Sequence, residues 1–295
     1  MILVTGGNGN IGQAVCNELG SRGYEVISVG RRALEAKLYK HVQCDITDLE
    51  SLKELFNTYK FDMVFHLAGL TNTNAKKNPD QAVEINVVGS KNLMMTALEH
   101  DVPFVYGSSV NAVGLAVESE NGAKETDMSS PQEFYGWTKR FVEEMGIALA
   151  NTKGLKFSSV RIPTIVGPGQ GSVNTPWRET CFTQVGKGGD LKLTYLASSY
   201  IPVSHINDVV NAICAVLTTD KQRQLVYNLP AERINIGDLK AMLEEIDPNL
   251  NVTTGDVDPV GICSYIDWSR FKEDFPIEIK TIKERLIEAK DLNTK

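Results

Sequence analysis

The sequence has no Cys-x-x-Cys pair. Its five cysteines (Cys16, Cys44, Cys181, Cys214 and Cys263) are odd in number and far apart, which argues against a disulfide framework or a thiolate metal site and suits a reducing compartment. The four histidines, at 41, 66, 100 and 205, show no ligand spacing, so no metal is expected. Basic residues are outnumbered, 30 Lys and Arg against 37 Asp and Glu, for a net charge of −7. That balance leaves no electrostatic footprint for nucleic acid. No apolar run approaches the roughly 20 residues that span a bilayer. The first apparent strand begins at Ile2, which leaves no room for a signal peptide. The expectation is a cytoplasmic protein with no membrane, nucleic-acid or metal partner.

What is present suits a folded enzyme-sized chain. The 295 residues are 42% hydrophobic and 23% charged, ordinary values for a globular protein with a substantial core. The amino-terminal half alternates short β-branched runs with helical patterns. Strands are expected at Ile2–Thr5, Glu25–Val29, Val42–Cys44, Met63–Leu67, Phe104–Tyr106 and Lys156–Ile162, and long helices over about Pro79–His100 and Glu133–Ala150. This alternation predicts an α/β fold, a doubly wound parallel-sheet Rossmann domain with ligands at the carboxyl ends of the strands. After Pro163 the pattern changes. Gly167 to Asp190 reads as loop-rich, and Val203–Leu217 and Leu225–Leu229 read as a return to the sheet. Residues 1–165, with 203–229 returning to the sheet, are therefore expected to form the dinucleotide-binding domain. Residues 166–202 and 230–295 would form a smaller, mixed substrate-binding lobe.

Three local patterns carry chemistry. In Thr5-Gly6-Gly7-Asn8-Gly9-Asn10-Ile11-Gly12, glycines at 6, 9 and 12 let the backbone turn tightly and approach a pyrophosphate, which the amino terminus of the following helix attracts. In Tyr135-Gly136-Trp137-Thr138-Lys139, the four-residue spacing puts a phenol and an ammonium on one helix face. Among the nine tyrosines only Tyr135 has a lysine four residues on. A neighbouring ammonium favours the phenolate, drawing the phenol towards acid–base work near neutrality. Ser108-Ser109 at the end of the fifth strand offers a hydroxyl to the same substrate oxygen.

Together these residues are similar to the extended branch of the short-chain dehydrogenase/reductase superfamily, the NAD-dependent epimerase/dehydratase family, over nearly the whole chain. The resemblance implies cofactor contacts from Gly6, Gly9, Asn10, Ile11 and Gly12 at the pyrophosphate and from Asp45-Ile46 at adenine. It also implies contacts from Leu67-Ala68-Gly69, which follow His66, beside the nicotinamide ribose, with Asn86 of Asn86-Val87-Val88-Gly89 and Ile162 completing the set. Tyr135, Lys139 and Ser109 match the family's catalytic residues, with Glu143 at its acidic position after the lysine. Arg161-x-x-Thr164-x-x-Gly167-Pro168 and His205-Ile206-Asn207-Asp208 match its later signatures. The implied mechanism has Tyr135 exchange a proton with a substrate hydroxyl or carbonyl while nicotinamide exchanges the hydride. Lys139 would hold the ribose and Ser109 polarise the oxygen.

The departures narrow the activity. Val110 and Asn111 stand where the family's dehydratases carry an Asp-Glu pair, which argues against sugar dehydration. Thr164 replaces the usual asparagine. Ser199-Tyr200-Ile201-Pro202-Val203-Ser204 lacks the arginine that grips a nucleotide diphosphate. Substrate contacts are expected from Thr71, Ser109, Asn111, Thr164 and Arg178, the last as an anion partner. The reading is an NAD(P)-dependent oxidoreductase interconverting a secondary alcohol and a ketone on a carbohydrate-like small molecule, whether sugar, sugar acid or nucleotide sugar. The alternatives are a nucleotide-sugar epimerase with retained NAD and a non-catalytic dinucleotide-binding protein. The second strand ends Val29-Gly30-Arg31-Arg32, without the acid that accepts ribose hydroxyls. Guanidinium groups at Arg31 and Arg32 can instead pair with a 2′-phosphate, so NADP is expected and NAD is the alternative. The resemblance also implies a homodimer built on the Pro79–His100 and Tyr135 helices.

Overall fold

The computed structural model describes residues 1–115, 122–172 and 174–295. The first half runs β1 (Ile2–Thr5), α1 (Asn10–Ser21), β2 (Val26–Gly30), β3 (Lys40–Gln43), α2 (Leu49–Thr58), β4 (Met63–His66), α3 (Asn72–Lys77), α4 (Pro79–Ala82), a π-helical segment Val83–Gly89, α5 (Ser90–Glu99) and β5 (Phe104–Ser109). It continues with α6 (Phe134–Lys153), β6 (Phe157–Ile162), β7 (Thr164–Val166), α7 (Trp177–Gln184), β8 (Gly189–Lys192), β9 (Tyr200–His205) and α8 (Ile206–Thr218). The chain ends with β10 (Val226–Asn228), β11 (Glu232–Asn235), α9 (Ile236–Ile246), β12 (Leu250–Thr253), α10 (Ser269–Asp274) and α11 (Ile282–Asn293).

Seven strands form one parallel sheet in the order β10-β6-β5-β4-β1-β2-β3. The order reverses at β1, where crossovers go to opposite sides of the sheet and leave a crevice at the carboxyl ends. Strand periodicity fills both faces. Ile2, Val4, Val26, Phe65 and Val105 enter one core with α1 and α8, while Leu3, Ile27, Val64 and Phe104 enter the other with α2, α5 and α6. Being buried on both faces, these strands read as continuous apolar runs rather than alternating ones.

The expected return of 203–229 to this sheet is corrected in extent. Only Val226–Asn228 joins it, beside β6. Val203 lies in a separate three-stranded sheet, β11-β9-β7, and Ile206–Thr218 is a helix packed on α1. The misreading has a physical cause, because nine of the thirteen residues of α8 are buried. Packing on nearly every side gives this helix a β-branched, strand-like composition. The stretch Gly167–Asp190, expected as loop, contains α7, whose Trp177, Cys181 and Phe182 are buried at helical spacing. With Leu193, Ile201, Val203, Ile234, Leu239, Leu243 and Leu286 they form a third core. Phe271 and Phe275, from the carboxyl-terminal region, pack instead into the core of the main sheet against Tyr227.

No helix among the described residues is long and apolar enough to cross a membrane. All five cysteines are buried and free.

Candidate active site

A cleft of about 1000 Å³ opens along the carboxyl ends of the main sheet. Its floor begins at the turn after β1. Gly6 has φ +73°, and a Cβ there would lie 2.8 Å from the backbone nitrogen of Ala68; one on Gly12 would lie 2.3 Å from the Gly6 carbonyl. Glycine is therefore required for this loop to fold against β4. No side chain caps α1 at Gly9, so its first N–H groups face the cleft ready for an anion. These are the features that a dinucleotide pyrophosphate needs, and the loop fits one.

The strand ends are tied together by a directed set of hydrogen bonds. Thr5 Oγ1 accepts from the N–H groups of Leu67 and Ala68, both at 3.1 Å, and so donates its own hydrogen to His66 Nδ1 at 2.6 Å. His66 Nε2 must then donate to Ser90 Oγ at 2.8 Å, and Ser90 donates to the Asn86 carbonyl at 2.5 Å. His66 is fully buried, and desolvation holds its pKa down to about 3, consistent with the neutral ring this pattern requires.

Asn86 does not line the cleft. Its side chain accepts from Leu70 N–H at 2.7 Å and donates to Leu70 O and Thr138 Oγ1. It thus braces the Gly69-Leu70 turn from behind, at the π-helical segment, a local widening often found at functional sites. The remaining cofactor candidates, Gly6, Gly9, Asn10, Ile11, Gly12, Arg31, Arg32, Asp45, Ile46, Leu67, Ala68, Gly69, Tyr135, Lys139 and Ile162, all line it. Two of them are committed elsewhere. Asn10 donates across the cleft mouth to the Gly169 carbonyl, and the Asp45 carboxylate accepts from Thr47 N–H and Oγ1 within its own turn.

At the other end stand Ser109, Tyr135 and Lys139. Register pairs Ser109 with Ile162 across β5 and β6, while α6 presents Tyr135 and Lys139 one turn apart. The buried Lys139 Nζ donates to the Gly107 carbonyl at 2.8 Å and lies 4.8 Å from the Tyr106 ring centre and 5.7 Å from that of Tyr135. Burial lowers its pKa to about 8, partly countered by the Glu143 carboxylate. The expectation for Tyr135 needs correction here. Desolvation pushes its phenol up to about 12, offset in part by a hydrogen bond with Ser109, rather than drawing it towards neutrality. At this depth the loss of hydration outweighs the nearby ammonium. Ser109 also donates to Asn111 Oδ1 at 3.0 Å and accepts from Asn111 N–H at 3.2 Å. Asn111 Nδ2 reaches the Gly261 carbonyl, so this amide, itself on the cleft wall, also holds Ser109.

Behind Lys139, Glu143 takes both Nε and Nη2 of Arg161, with neither side chain exposed. Ser159 and Arg140 also donate to it.

The substrate candidates Thr71, Ser109, Asn111, Thr164 and Arg178 all line the cleft. Arg178 sits at the start of α7, and its Nε is buried with no hydrogen-bond partner among the described residues. Desolvation lowers its pKa. A half-buried arginine with an unpartnered Nε at a cleft wall is suited to a carboxylate or phosphate. Gln170, Asn72, Tyr195, Val260 and Ile262 also line this region. None was found from sequence, since they sit on loops and bridges between distant segments. Asn8 lines the cleft beside Gly30, Arg31 and Arg32 and was likewise missed as a side chain, although its loop was recognised.

Comparison with known proteins agrees with this geometry. A sequence model of the NAD dependent epimerase/dehydratase family matches residues 2–237. The mitochondrial L-threonine 3-dehydrogenase of Bos taurus is 26% identical over 270 residues, covering 88% of this chain and 71% of that protein. Two solved structures share the fold. A monomeric L-threonine 3-dehydrogenase of metagenomic origin has a TM-score of 0.81 at 20% identity, covering 99% of this chain and 100% of its own. The UDP-glucose 4-epimerase of Thermotoga maritima, solved with UDP-glucose, has 0.84 at 23% identity, covering 98% and 97%. The Rossmann sheet, the glycine turn and the family match over most of the chain establish that this protein belongs to the NAD dependent epimerase/dehydratase family, whose cofactor is a nicotinamide dinucleotide.

Proposed function

We propose that the protein is an oxidoreductase interconverting a secondary alcohol and a ketone on a small, carbohydrate-like molecule that carries an anionic group. The observation that carries this reading is the unpartnered Arg178 Nε at the same end of the cleft as Ser109, Tyr135 and Lys139. A hydroxyl or carbonyl at the tyrosine and a carboxylate at the arginine describe a small hydroxy acid or sugar acid. The similarity to an L-threonine 3-dehydrogenase supports that class, because L-threonine bears a secondary hydroxyl and a carboxylate.

Bound along the glycine turn, the nicotinamide dinucleotide supplies the hydride chemistry. The chain supplies the rest. Tyr135 holds its proton through neutrality and gives it to a carbonyl oxygen in reduction; oxidation of the alcohol needs the tyrosinate, so the phenol first releases its own proton to solvent and then takes the one from the alcohol. Ser109 turns its one hydrogen from Asn111 Oδ1 to the same oxygen. Lys139, fixed by Gly107, keeps a cation beside both. Arg31 and Arg32 favour the 2′-phosphate of NADP, in a strand end that lacks a carboxylate.

Exposed Phe134, Trp137 and Phe141 form a stripe along α6, with the two largest exposures at Trp137 (56%) and Phe141 (57%). The stripe supports a homodimer through this helix. Light scattering at micromolar concentration tests it, and a monomer would refute it.

The function is tested by turnover with hydroxy acids, sugar acids and nucleotide sugars, each with NAD and NADP. Net reduced cofactor with an acid substrate, lost in Arg178→Ala, is the expected result. A nucleotide sugar interconverted without net reduced cofactor would establish the epimerase reading in its place.

A further inference from the structure

At the end of β2, where dinucleotide folds commonly place an acid against the adenosine ribose, this chain has Gly30. The space is filled from another segment. A Cβ on Gly30 would lie 1.8 Å from Asn8 Oδ1 and 3.0 Å from its Cγ, so the Asn8 amide occupies the volume that an acidic side chain at position 30 would enter. The amide is locked there. Asn8 Nδ2 donates to the Arg32 carbonyl at 3.1 Å, and that carbonyl also accepts from His41 Nε2 at 2.9 Å. The Asn8 carbonyl in turn accepts from Gln13 Nε2 at 3.1 Å. Exchanging the amide oxygen and nitrogen would set two acceptors against each other, which fixes the orientation. Asn8 Oδ1 is thereby turned to Gly30, buried and without a hydrogen-bond partner among the described residues. Gly30, Arg31 and Arg32 line the cleft beside it.

We propose that Asn8 is a cofactor-discriminating residue, a neutral amide filling the place of the missing ribose-binding acid. The inference rests on the reading of this end of the cleft as the adenosine site. A carboxylate here would accept from the ribose hydroxyls and repel a 2′-phosphate. The amide fills that volume without the charge. Arg31 and Arg32 then act on a phosphate with no anion opposing them. The choice between cofactors is set by a pair of positions, 8 and 30, on two different strand ends, and not by the arginines alone.

Binding of NADH and NADPH, followed by calorimetry on the intact protein, separates the possibilities. Asn8→Asp keeps the shape and adds the charge. It is expected to weaken NADPH by about ten-fold or more while NADH stays within about three-fold. Asn8→Ala, which adds no charge and opens space beside Gly30, is expected to leave both cofactors within about three-fold. An NADPH-to-NADH ratio in folded Asn8→Asp within about three-fold of the unmodified protein overturns the proposal. Should Asn8→Asp not fold, the steric half of the argument is read from Gly30→Ala. It should weaken both cofactors by about five-fold or more, and Asn8→Ala/Gly30→Ala should recover that loss; no recovery overturns the proposal. Tighter NADH binding by the unmodified protein would refute the NADP preference proposed above, yet Asn8→Asp must still move the ratio towards NADH.

Discussion

Glu143 and Arg161 face each other inside the protein with no solvent contact, Nη2 to Oε2 at 3.0 Å and Nε to Oε1 at 3.1 Å. The guanidinium overrides desolvation and holds the Glu143 carboxyl below the usual carboxylate range. The pair lies behind Lys139, whose ammonium Glu143 favours. Arg161→Ala would leave the buried Glu143 carboxylate with Arg140 as its remaining ion pair and should cost about 3 kcal/mol of stability. Glu143→Gln should cost less, because the amide still accepts from the guanidinium. Chemical denaturation checks the order, and equal losses would show that the charge, and not the hydrogen bonding, carries the stabilisation.

Tyr135→Phe should keep the fold and cofactor affinity while lowering turnover by about two orders of magnitude or more, since it deletes the proton-transfer group alone. Near-normal turnover would remove Tyr135 from the chemistry. Ser109→Ala should be milder, roughly ten- to a hundred-fold. Greater damage from Ser108→Ala would assign the hydroxyl to the neighbouring position.

The lowered Lys139 pKa has a definite sign. Below about pH 8 the lysine is protonated both folded and unfolded, and its buried charge opposes folding. As pH rises from about 8 towards the ordinary 10.5, the folded chain releases this proton first, so this group's contribution to stability increases. Tyr135 acts oppositely between 10 and about 12, where the unfolded phenol ionises first. NMR titration of isotopically labelled lysines should show one signal moving near pH 8 that is absent from Lys139→Met. If every lysine titrates near 10.5, the ammonium is better hydrated than its surroundings imply.

Arg31→Ala should weaken NADPH by roughly 1.5–3 kcal/mol and leave NADH nearly unchanged. Titration of both cofactors checks it, and equal losses would mean that the guanidinium does not read the phosphate.

What the sequence revealed follows the range of the interactions. The turn at Gly6 to Gly12 and the Tyr135–Lys139 pair depend on spacings of a few residues, so a linear pattern records them. Arg178 reads linearly as a loop arginine, and its buried Nε becomes visible only after α7 folds onto the third core. The direction of the Tyr135 shift was missed for a related reason. A neighbouring lysine can be counted along a helix, whereas depth is set by β5, β6 and the segments that roof the cleft. Asn8 lay inside a recognised motif, but its partner across the gap is Gly30, on another strand.

The bonds through His66 have one sense of donation, from the backbone N–H groups of Leu67 and Ala68 to the Asn86 carbonyl. Both termini are peptide groups whose character cannot be changed by substitution, so no member can reverse alone. A second proton on His66 would point Nδ1–H at the Thr5 hydroxyl hydrogen and break the sequence in the middle. The phosphate-facing turn and the widened helix behind the tyrosine are therefore mechanically one part. Loosening either should be felt at the other as a loss of alignment, with no residue of the cleft itself having changed.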